Sequence, residues 1–274
     1  MPKIERAGVK VRKGNTTNLP VNVGDIFETL GTSKPGEVKF VNGLLFGPPK
    51  TGKTTLACSG SKVLLIELDP EGAATETLAG REDITVLTPT SLADVNAIIA
   101  ALHGARKGEF DWVVLDSLTF LFQMAIGKEL NDTYTEGKNI MRPYGKGGAA
   151  VSQIVNDLVA VPANVMFTAH LAKESEGDEA VSVDQSLGEH EVKVAVTPMV
   201  WKTLGPAVGF IGRTFRAKEY ETIGKVRKAV TKFKVSFNDG EKSPAGSRYS
   251  MDGEYEHTPT LLNDVYTHLR KENT

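Results

Sequence analysis

The chain has 274 residues, a formal net charge of −2 and a single cysteine, Cys58. One cysteine excludes an internal disulfide framework and suits a reducing, cytoplasmic setting, and the near-neutral balance excludes a global basic field, though a local groove is enough to hold a single nucleic-acid strand. No run of about 18 apolar residues occurs, so no membrane-spanning helix is expected, and residues 1–20 lack the apolar segment of a signal peptide.

Lys3, Arg6, Lys10, Arg12 and Lys13 punctuate a start with almost no apolar pattern, which reads as a basic arm. A short lead-in with Ile26, Phe27 and Leu30 follows, so residues 1–40 are set apart from a core over 41–240 and from a C-terminal loop and docking helix over 241–274. Val41 to Phe46 predicts a buried strand, Lys62 to Asp69 a second, and Ile84 to Leu87 a short third. Ser91 and Asp94 have capping-box spacing ahead of an apolar face of Leu92, Val95, Ile98, Ile99 and Leu102. Asp111 to Leu115 is a further strand ending at Asp116, and Leu118 to Leu130 a helix. Asn131 to Gly148 is polar and glycine-containing and reads as a loop. A helix with Val151, Ile154, Val155, Leu158 and Val159 on one face then leads to a strand at Val165 to Ala169. Beyond His170 comes an acidic stretch to Glu191, then Val192 to Val196, Ala207 to Phe215 and Thr231 to Phe237, which read as antiparallel strands. Thr258-Pro259 is expected to start the last helix, with Leu261, Leu262, Val265, Tyr266 and Leu269 as its docking face. Strand and helix patterns alternate from residue 41 to about 170. The expected class is therefore α/β: a mostly parallel sheet with helices on both faces and an antiparallel extension.

The chemistry is announced by Gly47-Pro48-Pro49-Lys50-Thr51-Gly52-Lys53-Thr54, a complete G-x-x-x-x-G-K-[ST] loop. A strand precedes it and Thr54-Thr55-Leu56-Ala57-Cys58 can open a helix after it, the setting that gives the motif meaning. Its backbone N–H groups form an anion nest, Lys53 reaches the β- and γ-phosphates, and the Thr54 hydroxyl ligates Mg²⁺. The expected ligand is ATP, with Gly47 to Thr55 as its contacts. Asp116, at the end of an apolar strand, is expected to hold the Mg²⁺ from the other side. Ser117, not a glutamate, follows it, so the acid that polarises the attacking water must come from elsewhere. The second strand offers Glu67, Asp69 and Glu71. Glu67 and Asp69 share a side and Asp69 lies nearer the phosphates, which makes Asp69 the first candidate and Glu71 the second. His170, at the sheet's C-terminal edge, is placed to hydrogen-bond the γ-phosphate.

Asp116-Ser117-Leu118-Thr119, the separate acid after the second strand and the polar residue after the fourth long one together resemble the RecA family over residues 40–215. More narrowly, the phosphate loop with Phe167-Thr168-Ala169-His170 is similar to small RecA-like ATPases of bacteriophages, including the Sak-type single-strand annealing proteins. That resemblance implies ATP hydrolysis linked to homo-oligomeric rings or filaments, binding of single-stranded DNA, recombination or repair beside a single-strand binding protein, and a bacterial host cytoplasm. Two basic segments are candidates for the DNA: Lys138, Arg142, Tyr144 and Lys146 in the expected loop, and Lys218, Lys225, Arg227, Lys228, Lys232 and Lys234 on the late strands. The second is equally readable as solvated edge protection. Arg213 and Lys202 are further cations that could act on a neighbouring subunit's ATP. An AAA-type motor or loader and a small-molecule kinase are the alternative functions.

Overall fold

Apolar runs too continuous for one-sided burial become the central strands. Both faces of the sheet are covered, so alternation disappears from the sequence. The computed structural model describes residues 39–69, 78–136, 141–172, 193–223, 226–238, 243–249, 251 and 253–271. Nearly all of the basic arm and lead-in, together with Glu71, Lys138, Lys225 and the acidic stretch after Ala172, lie outside these residues.

In chain order the elements are β1 (Asn42–Gly47), α1 (Lys53–Ala57), β2 (Val63–Glu67), β3 (Ile84–Leu87), α2 (Leu92–His103), β4 (Trp112–Asp116), α3 (Leu118–Glu136), α4 (Met141–Val159), β5 (Asn164–His170), α5 (Pro198–Ala207), β6 (Phe210–Ile223), β7 (Val226–Ser236), β8 (Gly246–Ser247), β9 (Glu254–Glu256) and α6 (Leu261–Lys271). They build one sheet in the order β3-β2-β4-β5-β1-β6-β7-β9, with β8 pairing β6. From β3 to β6 every pairing is parallel, and β7, β8 and β9 add antiparallel strands. The expected α/β architecture, a mostly parallel sheet with an antiparallel extension, is the one observed.

Successive residues of each central strand point to opposite layers. Leu44, Phe46, Leu64, Ile66, Val113, Leu115, Val165 and Phe167 pack with α2, α3, α4 and α5. Leu45, Leu65, Val114 and Met166 face the other way, onto Leu56 and Ala57 of α1 and Leu261 and Leu262 of α6. The C-terminal helix therefore docks beside the phosphate-loop helix. Leu262 N–H donates to Ser59 Oγ at 3.1 Å, and Tyr266 meets Trp112 edge-on with ring centroids 6.2 Å apart.

Four expectations are corrected. The loop expected over Asn131 to Gly148 is largely helix, since α3 runs to Glu136 and α4 starts at Met141. Its glycines serve packing: a Cβ on Gly147 would stand 2.4 Å from Ile126 Cγ2 of α3, and one on Gly148 3.2 Å from Met199 Sδ of α5. Pro143 sits in the first turn of α4, where a missing N–H costs nothing. Helix α5 was not expected, although Thr197-Pro198 carries an N-cap and proline start. The Thr197 hydroxyl accepts from Val200 N–H at 3.4 Å. Strand β6 begins at Phe210 and pairs parallel with β1, Phe210–Arg213 against Gly43–Phe46, while its Arg213–Ile223 part pairs antiparallel with β7. Finally, α6 starts at Leu261 rather than at Pro259, with the Thr260 hydroxyl donating to Asp264 Oδ2 at 2.9 Å. Among the described residues no helix is long and apolar enough to cross a membrane.

Candidate active site

The phosphate loop leaves β1 at the C-terminal edge of the sheet and turns into α1 through two residues of positive φ, Lys50 at 60° and Gly52 at 81°. Switching backbone handedness within so few residues turns successive N–H groups toward one point, the geometry of an anion nest. Gly47 has no room for a side chain: a Cβ there would meet Thr214 O and Thr214 Oγ1, each at 2.4 Å. Thr214, on β6, also fixes the loop from below. Its hydroxyl lies 2.7 Å from Thr51 Oγ1, and Thr51 Oγ1 donates to Pro48 O at 2.8 Å. Thr55, the last of the expected contacts, is exposed on α1.

Lys53 is 7% exposed, and its Nζ donates to Gly47 O at 3.0 Å and Pro48 O at 2.7 Å. Burial pulls its pKa down to about 8, with the nearby Asp116 charge opposing the shift. A desolvated ammonium held by two carbonyl oxygens is well prepared for a polyphosphate.

Asp116 is the centre of the hydroxyl network. Thr54 Oγ1 donates to Asp116 Oδ2 and Thr168 Oγ1 to Asp116 Oδ1, each at 2.5 Å. The Asp116–Ser117 peptide is cis. Hard oxygen donors from Thr54 and Asp116 in contact with each other suit a Mg²⁺ ion, which prefers carboxylate and hydroxyl oxygens together with substrate phosphates. Thr168 escaped the sequence reading. The signal was present, since Thr168 lies two residues before His170 on the same strand and so on the same face. Thr168→Val should lower stability by about 1.5–3 kcal/mol, because a nearly buried carboxylate loses a donor. A urea midpoint shift at unchanged slope checks it.

The remaining candidates converge on the same edge. His170 is paired with Gly47 in the β1–β5 register. Its backbone N–H donates to Thr119 Oγ1 at 3.1 Å, and its ring stands edge-on to Phe120 with centroids 5.6 Å apart. Burial, and then the Lys53 charge, hold the imidazole below its usual pKa against the opposing pull of Asp116 and Asp69. It is therefore neutral at pH 7, able to donate from one ring nitrogen. Glu67 is 1% exposed and stands opposite Asp116 in the β2–β4 register. Asp69 lies two residues further toward the loop and is half-buried. Lys53, Asp69 and Asp116 thus all act electrostatically on His170. Cys58, on the same side, is not a nucleophile, because burial and then the Asp116 charge push its thiol up to about 12.

A family model described as an AAA domain matches residues 39–249. The chain belongs to this AAA domain family. The matched span holds the phosphate loop, Asp116 and His170, so this AAA domain is a P-loop domain of the ATPase type. No curated protein matches the chain. Among solved structures it is similar to the crystal structure of the RadB recombinase, at 16% identity and a TM-score of 0.43, covering 86% of this chain and 94% of that one.

Of the two basic segments of this AAA domain, the first is placed differently from expectation and the second lies on the late strands. Arg142, Tyr144 and Lys146 belong to α4 and not to a loop, and the 42% exposed Tyr144 ring lies 6.2 Å from Phe122. Arg213 sits on β6 with its guanidinium 5.3 Å from the Phe215 ring, and Lys202 is exposed on α5.

Proposed function

We propose that the protein hydrolyses ATP to ADP and phosphate and acts on single-stranded DNA in recombination or repair. The observation that carries the hydrolytic part is the convergence of the buried Lys53 ammonium and the Thr54–Asp116–Thr168 network on the loop's open side. Thr54 and Asp116 would hold Mg²⁺, which neutralises phosphate charge and orients the γ-phosphoryl group. Lys53 leaves its two loop carbonyls and moves onto the phosphate oxygens, stabilising the charge that builds up in the transition state. Asp69 accepts the hydrogen bond of the attacking water and polarises it, with Glu71 as the next candidate. Neutral His170 donates to the γ-phosphate and loses that partner when phosphate leaves.

The DNA part rests on the likeness of the phosphate loop, Asp116-Ser117 and Phe167-Thr168-Ala169-His170 to RecA-like phage ATPases. It carries with it assembly of copies into a ring or filament, a single-strand binding protein as partner and a phage-infected bacterial cytoplasm as setting. ADP release measured with single-stranded DNA, duplex DNA and no DNA tests both parts. Turnover without any phosphoryl acceptor, raised by the single strand and not by the duplex, is expected. Silence without an acceptor would point to a kinase, and equal rates in all three arms would remove the DNA.

A further inference from the structure

The long β6–β7 hairpin sorts its charge by face. Residues opposite each other in an antiparallel ladder share a face, as do alternate residues along each strand. On one face Phe215, Ala217 and Glu219 stand opposite Lys234, Lys232 and Val230. There Lys234 Nζ lies 2.5 Å from Glu219 Oε1 and 3.7 Å from Glu254 Oε2, while Lys232 Nζ lies 3.6 Å from Glu219 Oε2 and 3.2 Å from Glu256 Oε2. Carboxylates already balance these cations.

The other face carries exposed aromatic rings among its cations. Arg216, Lys218 and Tyr220 stand opposite Phe233, Thr231 and Ala229, with Arg227 two residues beyond Ala229. All seven are exposed, and among the described residues of these two strands no carboxylate shares their face. Tyr220 is 63% and Phe233 42% exposed, and the Arg227 guanidinium lies 4.5 Å from the Tyr220 ring centroid. Edge protection needs charge of either sign and no large rings. Exposed aromatics interleaved with cations of one sign are instead the make-up of a single-strand platform, in which cations follow the phosphates and rings stack on bases. This face also runs into the phosphate loop. Thr214 at its base contacts Thr51, and Phe233 stacks on His257 beside Gly52, with ring centroids 6.2 Å apart and planes 26° apart.

We infer that the Arg216–Lys218–Tyr220–Arg227–Phe233 face binds single-stranded nucleic acid, its phosphates against the three cations and its bases on the two rings. The inference rests on the single-strand reading of the function and gives it a surface. The test is fluorescence anisotropy of a labelled oligothymidine with the full chain across a salt series. Tyr220→Ala should weaken binding about tenfold and Tyr220→Phe should restore it, since stacking needs the ring and not the hydroxyl. Arg216→Ala, Lys218→Ala and Arg227→Ala combined should flatten the salt dependence by about 2 in log–log slope, at about 0.7 per phosphate. Lys234→Gln on the opposite face should stay within about twofold of wild type. If the wild-type chain binds and the Tyr220 and triple variants bind equally well, the surface is wrong and the single-strand reading stands. If the triple variant changes the oligomeric state on gel filtration while keeping wild-type affinity, the face is a contact between copies and the inference falls. A wild-type chain with no salt-dependent binding removes the reading and the surface together.

Discussion

Lys53→Met is expected to cut ATP turnover about a thousand-fold or more, since a charged group acting on a transferring phosphoryl is worth that much. The same change should leave the unliganded chain more stable at pH 7. The reason lies in the site's electrostatics. Burial lowers the Lys53 pKa from 10.5 to about 8, so between those values the unfolded chain holds a proton that the folded chain has released. Stability therefore rises with pH through that window, and below pH 8 the charged, desolvated lysine costs about 3 kcal/mol. A methionine of similar length removes that cost, offset in part by the two donors lost from Gly47 O and Pro48 O. Urea unfolding of the Met variant against wild type at pH 7 and pH 10 reads the sign: its advantage should shrink at the higher pH. Nucleotide binding supplies a second readout. Phosphate oxygens restore the charged form, so at pH 9 the wild-type chain should take up close to one proton per ATP bound, and the Met variant none. Calorimetry in two buffers of different ionisation enthalpy measures this directly. Equal proton uptake by both would remove Lys53 from the phosphate site.

Much of this arrangement could be read from residues alone, because the decisive interactions are local or periodic. The phosphate loop is contiguous, Asp116 and His170 each close an apolar strand, and Ser91 with Asp94 makes the capping box expected of it, Asp94 N–H donating to Ser91 Oγ at 3.2 Å. What failed was composition taken for conformation. Gly147 and Gly148 look like loop residues until helices α3 and α5 are packed on them, where the absent Cβ is what lets the helices approach. The support of the loop by Thr214 has no local signature at all, since Thr51 and Thr214 meet only because β6 lies beside β1. The basic cluster of the late strands was read as one group. Pairing register divides it into a face that carries carboxylates and a face that carries exposed rings, and register becomes visible only once β6 and β7 are aligned.

Asp69→Asn should keep ATP bound within about twofold of wild type and lower turnover at least about a hundred-fold, the range of a positioned general base. Position relative to the end of β2 separates Glu67 from Asp69. Glu67 is the last residue of β2, almost wholly buried and opposite Asp116, whose carboxylate takes the hydroxyls of Thr54 and Thr168. Asp69 lies two residues beyond the last residue of β2, and its charge is felt by His170 along with those of Lys53 and Asp116. A water between that carboxylate and the loop's open side would have its base at hand and its electrophile held by Lys53. Losing the carboxylate while keeping the shape should therefore stop the chemical step and spare the ground state, lowering kcat with little change in the affinity for ATP. Glu67→Gln, by contrast, should retain most of the turnover. Pre-steady-state binding of a fluorescent ATP analogue together with single-turnover hydrolysis separates the two effects. Normal hydrolysis by the Asp69 variant would pass the role to Glu71 or Glu67, and loss of ATP binding would show that Asp69 shapes the loop instead of activating the water.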